Sequence, residues 1–178
     1  FTETDLGSHI PDWLKKKIWP FEHAHTAASL RASAQVGLLE MQLLGTTAIL
    51  DMGTVRHTHV LLDEAMNSRM RYWGGKCLMD LPDFSGPLYE ETSVSLKETE
   101  ELIKHWHRKT ELLNYAVCPR FAVSCTDEIM NAASALQKEY DLVIHTHASE
   151  NLDEIAIIRE RTGMGNIDYF NSINMLNN

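Results

Sequence analysis

The feature that most restricts the fold of this chain is a repeated alternation. Short β-branched and apolar runs are separated by longer stretches with helical periodicity. Four runs read as strands: residues 46–52 (TTAILDM), 71–80 (RYWGGKCLMD), 112–117 (LLNYAV) and 141–147 (DLVIHTH). Between them the pattern predicts helices over 59–69, 93–109 and 126–140, and a helix over 152–162 follows the last strand. Strands that alternate with helices of roughly 10–15 residues assemble as βαβ units, so the expected class is α/β with a parallel sheet. Gly74 and Gly75 weaken the second run, because glycine brings no side chain to a strand.

Local signals mark the helix ends. Thr26 and Thr126 are placed to cap helices over 27–44 and 126–140, and Asp127 and Glu128 suit the positive end of the second. Gly45 and Gly163 are placed to stop helices. In 27–44 the apolar positions Leu30, Val36, Leu39, Leu43 and Leu44 fall largely on one face. A short helix over 11–21 is expected to end near Pro20, since proline removes a donor and clashes with the preceding turn. Residues 81–92 read as a loop, and a last short helix is expected around 166–176. Residues 2–8 are polar and turn-like, and a first residue of Phe1 reads as a truncated or processed start.

Charge and cysteine usage exclude some partners. Lys and Arg number 16 against 25 Asp and Glu, for a net charge of -9, and the densest basic run is Lys15-Lys16-Lys17. That balance argues against nucleic acid. No apolar stretch approaches the roughly 20 residues of a membrane span, so no membrane partner is expected. Cys77, Cys118 and Cys125 form no CxxC pair and leave an odd count, which suits a reducing, cytoplasmic compartment.

In parallel α/β folds, functional groups gather at the carboxyl ends of the strands. Four His-x-His pairs occur, at 23/25, 57/59, 105/107 and 145/147. His105 and His107 fall in a predicted helix, where residues two apart point roughly 200° apart, so they read as solvated. His23 and His25 follow no strand and read as surface groups, and His57 and His59 read as a polar rim. His145 and His147 leave the clearest strand, on one face of it, with Glu150 three residues on. A neutral imidazole on a strand end is a good metal ligand, and an adjacent carboxylate can shuttle protons. The alternative is that they are polar core or capping residues. Arg120 and Phe121 leave the third strand together. They offer a rigid donor fork and a stacking face for a planar heteroaromatic ligand. Here the alternative is an arginine paired with a local carboxylate above a core phenylalanine.

Several of these segments resemble the amidohydrolase superfamily. They are PRFAVSC at 119–125, IHTHASEN at 144–151 and Asp153-Glu154. Supporting stretches are Gly45-Thr46-Thr47, Gly75-Lys76 with Met79-Asp80, and Asp12-Trp13-Leu14 with Ile18-Trp19-Pro20. The branch they are most similar to is that of guanine deaminases and chlorohydrolase-like aminohydrolases. The resemblance implies a (β/α)8 barrel of the TIM type with one divalent metal, commonly zinc, at the strand ends. It further implies His147 as a metal ligand and Glu150 as the catalytic acid/base. Arg120 and Phe121 match a purine-contacting pair, while His145 matches a variable position.

Such a barrel takes roughly 250 residues, and this chain has 178. The resemblance therefore makes residues 1–178 the central part of a barrel, about strands 2 to 5 with their helices, lacking the first strand and the last three. The implied reaction is hydrolytic deamination of a purine-like ring by a metal-bound hydroxide. Dechlorination of a triazine-like ring and a non-catalytic ligand-binding module are the alternatives. With one of the expected ligands, the segment alone is expected to bind metal poorly and to be inactive. Open sheet edges are expected to drive homo-oligomerisation.

Overall fold

The computed structural model describes residues 13–176. The turn-like stretch at 2–8, Pro11 of the first helix and Asp12 of the resemblance lie outside the described residues.

Four parallel rows of strand stand side by side in chain order. β1 (Ala48–Asp51) lies along β2 (Arg71–Gly74), with Ala48 opposite Arg71 and Asp51 opposite Gly74. β2 lies along β4 (Leu113–Pro119), with Tyr72 opposite Leu113. The short β3 (Cys77–Leu78) meets β4 in the same register, Cys77 opposite Cys118. The run at 71–80 is thus one strand interrupted at Gly75 and Lys76. A side chain at Gly75 would collide with the Ala116 carbonyl and the Tyr115 ring, which explains the paired glycines. β5 (Val143–Ile144) closes the row against β4. An all-parallel sheet in sequential order is the wall of a (β/α)8 barrel.

Each connection is helical. α1 (Trp19–His23) continues a π-helical turn at Leu14–Ile18, and α2 (Ala27–Leu43) follows it. α3 is Thr58–Ser68, α4 the single turn Pro82–Ser85 and α5 Thr92–Trp106. α6 is Asp127–Tyr140, α7 Leu152–Thr162 and α8 Asn166–Ser172. The caps are where the sequence puts them. Thr26 and Ser29 form a reciprocal capping box, Thr126 accepts from Ile129 N–H at 3.2 Å, and Gly163 ends α7 at φ 74.

Four expectations need correction. Pro20 does not end a helix; it lies in the first turn of α1, which runs on from the π-helical turn to His23. α2 buries Leu30, Ala34 and Leu38, while Val36, Leu39 and Leu43 face away. The buried row repeats every four residues and packs on α3, where Arg31 pairs with Asp63 and Glu64. Residues 81–92 hold α4 and a 3-10 turn, anchored by the buried Asp80. Asp80 accepts from Thr92 Oγ1 at 2.7 Å and from Thr126 N–H at 2.6 Å, joining the starts of α5 and α6. The last strand is shorter than expected, because its ladder beyond Ile144 is broken by the bulge described below.

The core lies between β2–β4 and the helices. Tyr72, Leu78, Leu113, Tyr115, Val117, Ile129 and Phe170 are all buried. All three cysteines are free and buried there. Burial pushes Cys77 and Cys125 up to about 12 and raises Cys118 as well. The folded state therefore keeps these protons while an unfolded chain, with thiols near 9, releases them. Their stabilisation is complete below pH 9 and is lost as pH rises from 9 towards 12. Buried Tyr72 and Tyr115 act in the same sense above 10. Urea midpoints are expected to fall between about pH 8 and pH 11, and a flat profile would contradict this assignment.

Candidate active site

The exits of β4 and β5 meet through a bulge. Val117 sits opposite Ile144, and the next bridge pairs Phe121 with His147. Four steps along one strand therefore match three along the other, so one residue is extra on the β4 side. A bulge of this kind re-aims side chains at a strand end. Here it brings Arg120, Phe121 and His147 together.

His147 is held in a defined tautomer. Its Nδ1 lies 2.8 Å from the Arg120 carbonyl, and its main-chain N–H donates to the same oxygen at 3.3 Å. A carbonyl only accepts, so Nδ1 carries the proton and Nε2 of the neutral ring keeps its lone pair. Phe121 meets the imidazole edge-on, with ring centroids 5.9 Å apart. This is how a ligating histidine is prepared: one nitrogen tied to a carbonyl, the other left to coordinate.

Glu150 lies on the turn that follows. Ser149 takes a left-handed conformation at φ 57, and the Glu150 side chain is exposed. Its main-chain N–H donates to Glu154 Oε2 at 2.7 Å, and Glu154 Oε1 accepts from Asn166 Nδ2 at 2.6 Å. Buried Glu154 thus ties the turn to the starts of α7 and α8, and among the described residues the Glu150 carboxylate takes no hydrogen bond or ion pair. Phe121 and Glu150 line one small hollow with Leu14, Val123 and Ile157.

Arg120 has a carboxylate partner. Its Nη1 lies 2.8 Å from Glu22 Oε2, and both side chains are 13% exposed. Phe121 is buried, edge-on to Phe84 at 5.6 Å. The arrangement matches the alternative of a paired arginine over a core phenylalanine, although both residues still border the His147 ring or its carbonyl anchor. Glu22, from α1, has no signal in strand periodicity, since it lies upstream of the first strand. Only an acid within an aromatic-rich turn (WPFEH) hints at it.

The other histidines sort by location. His57 and His59 stack edge-on at 6.4 Å beyond β1, while His23 Nδ1 contacts Arg56 Nη1 and His25 Nδ1 contacts Ser29 Oγ. His107 departs from expectation. α5 ends at Trp106, so His107 turns inward and its Nδ1 accepts from Tyr115 N–H at 3.2 Å. Burial lowers its pKa, and it is not a solvated helix residue. His145 N–H donates to the Val117 carbonyl, and its own Nδ1 is buried without a hydrogen-bond partner among the described residues. Among the described residues no group of three His, Cys, Asp or Glu side chains could hold a metal ion. His147 thus stands apart from any such group, with its Nδ1 on the Arg120 carbonyl.

The structure thus places His147 at a strand end with its Nδ1 on a carbonyl and Glu150 on the turn that follows. The model of the amidohydrolase family matches residues 3–177. The chain belongs to the amidohydrolase family. Guanine deaminase of Escherichia coli K12 is 35% identical to it over 159 residues, 86% of this chain and 35% of the relative. A guanine deaminase structure from C. acetobutylicum, with guanine in its active site, superposes with a TM-score of 0.86. The identity is 25%, over 96% of this chain and 42% of that one. A mutant atrazine chlorohydrolase from Arthrobacter aurescens TC1, complexed with zinc and atraton, shares the fold at a TM-score of 0.78 and 18% identity, covering 91% and 39%. The chain thus spans well under half the length of these amidohydrolases.

Proposed function

We propose that residues 1–178 form the central part of a metal-dependent aminohydrolase that removes an amino group from a purine-like ring, as guanine deaminases do. The observation that supports this reading is the His147 tautomer, with Nδ1 on the Arg120 carbonyl, which leaves the Nε2 lone pair available to a metal. His147 would hold one divalent metal, zinc by analogy with the zinc-complexed neighbour, together with ligands from the rest of the barrel. Such a metal supplies a water whose pKa is lowered enough to be a nucleophile near neutral pH.

The chain's own groups carry the proton traffic. Glu150 would take a proton from the attacking water and pass it to the ring nitrogen, then take the hydroxyl proton of the resulting adduct and pass it to the amine, so that ammonia leaves as the ring carbonyl forms. Its exposed carboxylate, on a turn fixed through Glu154, suits that two-way role. Arg120 would contact the ring through donor edges not used by Glu22, with the buried Phe121 beside the His147 imidazole as the wall behind it. The three free cysteines suit a cytoplasmic location. β1 and β5 each pair on one side only among the described residues, and self-association through those edges is part of the proposal.

A second reading keeps the site and changes the leaving group to chloride. The chlorohydrolase neighbour favours it. Incubating the metal-loaded, full-length protein with guanine and with a chlorotriazine separates the two. Ammonia from guanine is the expected product; chloride alone would select the second reading, and neither product would remove both.

A further inference from the structure

We propose that Glu22 is a positioning residue that holds the Arg120 guanidinium for ligand binding. Arg120 is separated from Glu22 by 98 positions in the chain, yet the two form a charge-assisted bond of 2.8 Å. The other Glu22 oxygen, Oε1, accepts from Val55 N–H at 3.0 Å, in the loop after β1. One carboxylate thus clamps the exits of two strands that are not neighbours in the sheet.

Trp19, three residues before Glu22 on α1, is buried, and its ring centroid lies 5.9 Å from the Arg120 guanidinium carbon. Met79 Sδ lies 3.5 Å from Arg120 Nη1. The guanidinium is therefore held from three sides by Glu22, Trp19 and Met79. A planar donor fork confined in this way loses little freedom when it meets a planar acceptor. Without Glu22 the guanidinium would keep its charge and lose its orientation. The Arg120 carbonyl, which anchors His147, belongs to the strand and would stay in place. Glu22 should therefore govern substrate affinity and not metal content or the chemical step.

The inference rests on the deaminase reading for its kinetic arm and stands free of it in a second arm. Glu22→Gln keeps size and removes charge, and Glu22→Asp keeps charge and withdraws it by one methylene. Both are made in the full-length protein. Modification of Arg120 by phenylglyoxal, followed by peptide mass mapping, is expected to run about tenfold faster in either variant, in line with the low end for the loss of one charged hydrogen bond. KM for guanine is expected to rise about tenfold. Metal content is expected to stay at the wild-type level, and kcat within about threefold of it. An unchanged Arg120 modification rate in a folded variant overturns the proposal. So does an unchanged KM in an enzyme that deaminates guanine. If the wild type does not act on guanine, the deaminase reading fails and the modification rate alone decides the role of Glu22. If Glu22→Gln does not fold, Glu22→Asp carries the same two readouts.

Discussion

Replacing Lys76 with Met is expected to lower the unfolding free energy by about 3 kcal/mol, the low end of the range for breaking a buried ion pair. Lys76 is fully buried in the interruption between β2 and β3. Its ammonium lies 2.9 Å from Glu90 and 2.8 Å from Glu98, and it donates to the Val55 carbonyl. The ammonium thus faces two carboxylates and one carbonyl. Methionine fills the space of the lysine stem but leaves these acceptors without a donor. Glu98 is 37% exposed and regains water, so most of the loss falls on Glu90, at 16%, and on Val55. Adding Glu90→Gln to the Lys76→Met variant should recover a large part of the stability, because it removes the stranded charge. Urea denaturation of the full-length protein reads both values. A loss below about 1 kcal/mol would mean that the ion pairs are no stronger than surface ones.

The largest expected effect on activity belongs to Glu150. Glu150→Gln should reduce turnover by about 10²–10⁴-fold, the range for removing a general acid/base. The substitution keeps the shape of the side chain and loses the basic carboxylate. Its structural cost is expected to be within about 0.5 kcal/mol, as for other exposed positions. The bond that fixes this turn runs from the main-chain N–H to Glu154, and the substitution leaves it intact. KM should change little, because neither the Glu22-held Arg120 nor Phe121 is altered. Substitution of Glu154 should act differently, by loosening the turn and lowering stability as well as turnover.

Much of the framework was legible because its signals are local. Thr26, Thr126 and Gly163 act within one turn, and each performs the predicted capping task. The four strand rows follow from short apolar runs, and the parallel order follows from the helices between them. What escaped the sequence depends on distant partners. Which leucines α2 buries is decided by its packing on α3, alongside the Arg31–Glu64 pair. The inward turn of His107 depends on where α5 ends, a boundary that periodicity places poorly.

The candidate site divides in the same way. His147 and Glu150 could be singled out because they follow an apolar strand at a spacing chemistry can use. The carbonyl that sets the His147 tautomer comes from Arg120 on the neighbouring strand, through a bulge that no residue pattern announces. Lys76 carried a hint, a lone charge inside a strand that is otherwise apolar. Its acceptors Glu90 and Glu98 lie on the following connection and helix.

The central claim is that a strand-end histidine and the adjacent glutamate carry hydrolytic deamination in the intact enzyme. It is tested most directly by ammonia release from guanine, measured side by side for the zinc-loaded full-length protein and its Glu150→Gln variant. Release by the wild type, with a loss of at least about 10²-fold in the folded variant, is the predicted result. Equal rates in the two proteins would contradict the account.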